Sequence, residues 1–356
     1  MSSNADERKD PHGSLTIVGT GIEAVSQMTV QTIGYIREAD VVFYHATNGV
    51  TASQIHALNA NAVDLYEYYG EGKRRTATYV QMAELMLRQV RRGLNVVGVF
   101  HGHPGYFVRP ARRALAIASM EGYPTALMAG ISAPDCMFAD LRIDPGVRGC
   151  QILMANHLFR DETIVAVNGH VVFLQVGGVG DRGFSFSGYK QARFSDFLER
   201  LIGIYGEQQE AVYYMAAIFP GCDPDIHVYK LADYRRPQVA SIIKAGMLYV
   251  PPKGENVASL PTFQAFRGAK PYRRKDQRVI DELDEHKTPD GFVHRQASRA
   301  VLEALSEVGT TASARNRYRQ DPDAFLAAHP HLSRQEREGL ARRSIVSIRR
   351  VTTTKL

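Results

Sequence analysis

Cysteine is scarce in this 356-residue chain: Cys136, Cys150 and Cys222 stand far apart, and no CxxC pair exists. That excludes a disulfide framework and a cysteine zinc site, and it favours a reducing compartment. Also missing is any run of about 18 consecutive apolar residues, so no membrane-spanning helix is expected. Residues 1–12 are polar, of mixed charge and without an apolar core, which excludes a signal peptide. A hydrophobic content of 44% places the chain among globular rather than disordered sequences. The expectation is a soluble cytoplasmic protein, long enough for two or three domains.

The formal charge is +6, but the excess is uneven. Arg342, Arg343, Arg349, Arg350 and Lys355 gather at the C-terminal end with no acid among them. A basic tail of this kind marks a solvated or partner-binding end more often than a groove-binding fold, so nucleic acid is disfavoured as a partner.

Short apolar runs alternate with helical stretches from residue 14 onward. Residues 15–18 lead into Gly19-Thr20-Gly21, and residues 41–44 and 95–100 are further strands. Met82, Met86 and Val90 recur every four residues through a helix over 77–92, which Gly93 ends in a left-handed turn. Continuous apolar strands between helices predict an α/β fold with a mostly parallel sheet covered on both faces. Residues 171–176, 211–215 and 247–250 form a second set of strands around a helix over 194–205. The predicted organisation is a flexible end (1–13), two α/β lobes (14–130 and 131–253), an arm (254–296), a small all-helical module (297–345) and a tail (346–356). Within the module, Asp321-Pro322 offers an N-cap with proline at the first helical position, and Ser333 with Glu336 forms a capping box. The module is too small to be stable without docking on something.

Gly19-Thr20-Gly21 permits close approach of backbone N–H groups to a ligand, or is simply a tight strand-to-helix turn. It lacks the third glycine of the dinucleotide fingerprint, and no lysine-bearing phosphate loop exists anywhere, which argues against NAD and ATP. His101-Gly102-His103-Pro104-Gly105-Tyr106-Phe107 follows the strongest strand, at the carboxyl edge where open α/β sheets bind ligands. Gly105 is expected to leave room there for the ligand itself. The two histidines have no convincing carboxylate partner, so no metal site is expected. Tyr66, Tyr68, Tyr69 and Tyr79 lie close to Lys73, Arg74 and Arg75. Such a run reads either as a half-buried strand edge with a basic turn, or as phenols that converge to donate hydrogen bonds to developing negative charge. An arginine there would orient the reacting group or help remove a proton, although its high pKa makes it a poor base unless strongly perturbed.

The segments 15–21, Gly102-His103-Pro104-Gly105 and Gly130-Ile131-Ser132-Ala133 resemble the tetrapyrrole-methylase fold, a two-lobed α/β methyltransferase. Residues 171–177, 213–217 and 250–253 continue the likeness. The 66–79 segment and the helices after 297 further resemble the borosin peptide-backbone α-N-methyltransferases. The resemblance implies S-adenosylmethionine as methyl donor, with S-adenosylhomocysteine as product. It implies that Gly19, His103, Tyr106, Phe107, Ser132, Ala133, Gln175, Tyr213 and Ala216 surround that donor. It places Tyr66, Tyr69, Arg75 and Tyr79 around the peptide at the point of transfer. One departure is His101, where family members carry a phenol.

The implied function is α-N-methylation of backbone amides in a ribosomally made peptide, either the chain's own C-terminal tail or a separate precursor. The acceptor is then residues 351–355, a continuation of the tail beyond them, or a separate peptide. The implied assembly is a homodimer in which an arm able to span ~120 Å, at about 3.3 Å per residue, delivers the tail to the partner's site. The rival readings are a tetrapyrrole or RNA methyltransferase of the same fold, and a non-catalytic peptide- or nucleic-acid-binding protein.

Overall fold

The computed structural model describes residues 13–160, 163–257 and 297–351. They fall into two compact units, one built on residues up to Met28 and from Asp40 onward, the other on Thr29–Ala39 together with the C-terminal helices.

In the first unit, β1 (Ser14–Gly19), β2 (Val41–His45), β3 (Ala62–Asp64), β4 (Asn95–Phe100) and β5 (Thr125–Leu127) form an all-parallel sheet in the order β3-β2-β4-β1-β5. Their Val, Ile and Phe runs are buried at nearly every position of β1, β2 and β4, as a sheet covered on both faces requires. The first helix, α1 (Val30–Glu38), belongs to the other unit. Here α2 (Gly49–Leu58) follows β2, and α3 (Arg75–Val90) and α4 (Arg109–Met120) pack together on one sheet face. Met82, Met86 and Val90 face Leu15, Ile17 and Val96 in that core. The chain turns after α3 at Gly93, φ +88°, where a side chain would be strained.

The first sheet is thus parallel as expected, whereas the second is mixed. The second comprises β6 (Cys150–Met154), β7 (His170–Leu174), β8 (Glu210–Met215), β9 (Asp225–Lys230) and β10 (Met247–Val250), in the order β6-β7-β10-β8-β9. Only β6 and β7 run parallel; β10 lies between β7 and β8 and is antiparallel to both, and β8 and β9 make an antiparallel pair. Because β7 and β8 therefore point the same way, their carboxyl ends share one edge of the sheet. Strand alternation sends Ala211 and Tyr213 towards the core beneath α6 (Phe194–Tyr205), and Val212 and Tyr214 towards α5 (Ala133–Leu141). The short α7 (Pro237–Ala240) precedes β10. Val257, at the start of the predicted arm, is buried, and its N–H donates to Glu210 at 2.8 Å. The rest of that arm, 258–296, lies outside the described residues.

The second unit holds α1 together with α8 (Arg299–Thr310), α9 (Ala312–Gln320), α10 (Pro322–Ala327), α11 (Arg334–Ala341) and α12 (Ile345–Val351). Val301, Ala304, Ala314, Tyr318, Phe325, Leu326 and Leu340 form its core. The caps stand where the sequence placed them: Asp321 accepts from the Ala324 N–H, and Ser333 and Glu336 form a reciprocal capping box. Helix α1 crosses these helices so closely that a Cβ on Gly34 would overlap the carbonyl oxygen of Thr310. The buried Arg315 lays its guanidinium over the Tyr35 ring, 5.4 Å from the centroid, and donates to the Gly309 carbonyl at 2.9 Å. A helix that falls within the span 14–130 is thus part of the helical module's own packing.

Because the Gly34 contact is backbone, it cannot yield by a rotamer change. We expect Gly34→Ala to cost about 1–3 kcal/mol, measured as a lowered calorimetric transition. Gly309→Ala, whose Cβ would meet open space in the same unit, should be neutral or stabilising.

Among the described residues no helix is long and apolar enough to cross a membrane, and no group of three or more His, Cys, Asp or Glu could hold a metal ion.

Candidate active site

The carboxyl edge of the first sheet gathers the sequence-predicted residues in strand order. The tyrosines follow β3, the segment from His101 to Phe107 follows β4, Gly19 ends β1 and the stretch from Gly130 to Ser132 follows β5, with His45, not singled out from the sequence, at the end of β2. Parallel strands put every one of these turns on the same side, which is why segments far apart in sequence become neighbours.

Three of the turns touch through their backbones. The Gly102 N–H donates to the Gly21 carbonyl at 2.8 Å, closing a bridge between the two loops. A Cβ on Gly19 would overlap the Gly102 carbonyl oxygen and stand 2.7 Å from Pro104 Cδ. A Cβ on Gly130 would stand 3.1 Å from the same oxygen. Gly102 itself has φ +73°. The glycines therefore serve loop-to-loop contact first.

Ser132 caps α5: its hydroxyl and N–H both donate to the Asp135 carboxylate, at 2.6 and 2.7 Å. From that cap α5 packs on the second sheet, where Ala133 and Ala216 join one apolar cluster. The two lobes meet again where the Ala24 N–H donates to the Ile218 carbonyl at 2.9 Å. Gln175, just past β7 and exposed, holds a left-handed backbone at φ +57°. Phe107 does the same at φ +56°. Such strain in non-glycine residues tends to gather at functional sites.

His103 Nδ1 accepts the Gly105 N–H at 2.9 Å, so when the ring is neutral its proton sits on Nε2. The ring stands edge-on to Tyr106, centroids 5.4 Å apart. This corrects the expectation for Gly105: a Cβ there would meet the His103 imidazole at 2.9 Å, so the glycine makes room for that ring. Tyr213 also needs revision. Its side chain is fully buried beneath α6, and its hydroxyl accepts the N–H groups of Lys244 and Gly246 at 3.0 and 3.3 Å. Alternation places it on the opposite face from Ala216, so only its backbone is available to a ligand.

The tyrosine run resolves into an aromatic cluster. A single turn of 3-10 helix over Leu65–Tyr68, capped by Asp64, turns Tyr66 and Tyr69 towards each other at 5.5 Å between centroids. Tyr69 reaches Tyr79 of α3 edge-on, with ring centroids 6.5 Å apart. Burial, reinforced by Tyr79, raises the Tyr69 pKa, so its phenol stays protonated as a donor at neutral pH.

A second-lobe segment covers this cluster. The Phe184 N–H donates to the Lys73 carbonyl at 2.9 Å and the Gly72 N–H to the Phe184 carbonyl at 2.8 Å. Phe184 stacks on Tyr69 at 4.3 Å, and Phe186 stands 6.4 Å from Tyr66. Arg75 donates its Nε–H to the Gly183 carbonyl at 3.0 Å and lies over the Tyr189 ring at 4.9 Å. Any donor that Arg75 offers a ligand must therefore come from its terminal nitrogens. Gly183, Phe184, Phe186 and Tyr189 went unrecognised in the sequence, where no local pattern ties them to tyrosines more than a hundred residues earlier. His45 was also missed, although its position at the end of an apolar strand was a usable signal.

Imidazoles connect the two halves of the site. His45 sits 5.8 Å from Tyr66 and 5.7 Å from Tyr69, ring to ring. It pairs in register with Phe100, which places His101 beside it. His101 Nδ1 is 3.3 Å from the Thr47 hydroxyl. Burial, with His45 as a lesser cause, pushes the His101 pKa down to about 4. Burial also lowers that of His45, against the pull of Asp64.

This is a two-lobed α/β architecture with glycine loops and an aromatic cluster on one edge. A conserved hypothetical protein from Aeropyrum pernix K1 superposes with a TM-score of 0.51 at 16% identity, covering 77% of this chain and 97% of its own; that likeness concerns the fold alone. Residues 14–217 match the family of tetrapyrrole (corrin/porphyrin) methylases, and residues 271–355 match the borosin biosynthesis clasp domain. A relative from Omphalotus olearius, named as a methyltransferase/ribosomally synthesized cyclic peptide omphalotin A precursor, is 39% identical over 354 residues, covering 92% of this chain and 85% of its own length. The corresponding dendrothelin A precursor from Dendrothele bispora (strain CBS 962.96) is 38% identical with the same coverage. The chain belongs to the borosin family of methyltransferases.

Proposed function

We propose that this enzyme methylates backbone amide nitrogens of a ribosomally made peptide, its own C-terminal tail, using S-adenosylmethionine. The observation that carries the reading is the half-buried phenol cluster beside the methylase loops on one sheet edge. The proposed donor site is Gly19, His103, Tyr106, Phe107, Ser132, Ala133, Gln175, Ala216 and the backbone of Tyr213. These residues suit a nucleoside-bearing ligand: Tyr106 and Phe107 keep 39% and 38% exposure as apolar faces, and Gln175 presents an exposed amide. When bound, that ligand supplies an electrophilic methyl group on a sulfonium and leaves as S-adenosylhomocysteine.

The chain's own residues must overcome the poor nucleophilicity of an amide, whose nitrogen lone pair is delocalised into the carbonyl. Tyr69 and Tyr79 donate to the carbonyl oxygen as negative charge builds on it, which stabilises the imidate more than the resting amide. Arg75, held by Gly183 and Tyr189, orients the peptide, and Tyr66 forms the exposed wall. The amides of α12 are engaged within a helix, and Val351 packs in the helical core. Acceptor positions on this chain therefore lie after Val351, outside the described residues.

Intact mass after incubation with S-adenosylmethionine tests the reading. Mass gains in methylene steps, mapped by fragmentation to backbone nitrogens beyond Val351, are expected; methylation only of an added RNA or tetrapyrrole would overturn it. The proposed division is two lobes (14–130 without α1, and 131–253), an arm (254–296), a helical module (297–345, which α1 and α12 join) and a tail reduced to the residues after Val351, in a cytoplasmic homodimer acting in trans. An arm of that length supports delivery to a neighbour. Light scattering should give a dimer, and mixed dimers of a tail-deleted subunit with an Arg75→Ala subunit should methylate the remaining tail; a monomer, or inactive mixed dimers, would sink this assembly.

A further inference from the structure

We propose that His45, backed by His101, receives the proton that the peptide amide sheds on methylation. The inference rests on the function proposed above and concerns a need that donors to the carbonyl oxygen leave unmet. Forming the nitrogen–carbon bond and keeping a neutral N-methyl amide requires the N–H bond to break. The nitrogen takes the methyl carbon, the carbon–sulfur bond's electron pair stays on sulfur, and the amide proton moves to an imidazole nitrogen. The positive charge lost from the sulfonium reappears as an imidazolium, so charge balances, and that imidazolium returns its proton to water between turnovers.

The position of His45 carries the argument. It closes the aromatic cluster from the sheet side, within 6 Å of both Tyr66 and Tyr69 between ring centroids. Tyr69, held protonated by burial, serves as a donor and is a poor proton acceptor, and a guanidinium is already charged. The remaining groups around His45 are Asp64, which caps the tyrosine-bearing turn, and His101 with Thr47. Burial keeps both imidazoles neutral at physiological pH, so a free lone pair awaits the proton. Two adjacent imidazoles cannot both charge readily, which favours one proton at a time and its prompt release.

The test uses the full-length protein with tail methylation followed by intact mass, and needs no identified partner peptide. In the wild type, single-turnover rate is measured across about pH 5 to 9, where imidazoles titrate, alongside NMR titration of isotope-labelled histidines. The rate should fall as pH drops, with the midpoint of His45's own titration. His45→Ala should bind S-adenosylmethionine normally by calorimetry and methylate about 100-fold slower or worse, and added imidazole should restore rate in proportion to its free base. His45→Ala at wild-type rate, or a folded, donor-binding variant that imidazole does not rescue, overturns the proposal. If His45→Ala does not fold, the wild-type comparison decides: a rate midpoint that differs from the His45 titration overturns it equally. A wild type that methylates no backbone amide sinks the proposed function itself, a result distinct from all of these.

Discussion

Tyr79→Phe and Arg75→Ala are expected to leave S-adenosylmethionine affinity close to wild type while slowing methylation by about 100-fold or more, the usual loss on removing a donor to developing charge. The two changes act differently. Tyr79→Phe removes one hydroxyl, while the ring remains edge-on to Tyr69. Arg75→Ala removes the donor to Gly183 and the cation stacked over Tyr189, so it also loosens the second-lobe segment over the tyrosines. Tyr79→Phe should therefore lower the rate at saturating donor with little change in thermal stability, and Arg75→Ala should lower both. Calorimetric donor binding with single-turnover mass spectrometry separates the effects. Wild-type rates in both variants would return the tyrosine run to a structural role.

Gly19→Val should have the opposite profile. Its new Cβ would be driven into the Gly102 carbonyl and against Pro104, and neither neighbour is a flexible side chain. The loop from Gly102 to Phe107 must shift, carrying His103 and the strained Phe107 with it. We expect donor affinity to fall by at least about tenfold, since repacking against backbone costs about 1–3 kcal/mol. Unchanged affinity by calorimetry would show that the loop contact does not shape the donor site. Gly72→Ala, whose Cβ meets open space, controls for loss of glycine, although its φ of +70° carries its own strain.

The first sheet was readable because β1, β2 and β4 are unbroken apolar runs, and α3 because its methionines repeat at helical spacing. Residues 225–230 were missed: Asp-Ile-His-Val-Tyr-Lys alternates on an edge strand and carries charge at both ends. The antiparallel course of β10 was also unreadable, since strand direction depends on how the chain returns and not on strand composition. In the site, loops that follow strands were legible because a glycine or proline marks each turn. Partners brought in from the second lobe were not, because Phe184 meets Tyr69 only after folding. Tyr213 shows the limit within one strand: the right segment was found, but alternation turned its side chain into the core.

Helix α1 has a consequence for anyone wishing to exchange the C-terminal part of this enzyme for that of a relative. The helical module is split in the gene, with one helix encoded between β1 and β2 and the others some 260 residues later. A chimera joined at a single point after the second lobe would pair the incoming helices with the resident Gly34 and Tyr35, which were shaped for Thr310 and Arg315. Compatible exchange requires two grafts, residues 29–39 as well as the C-terminal helices, and substitutions in the two stretches should be inherited together.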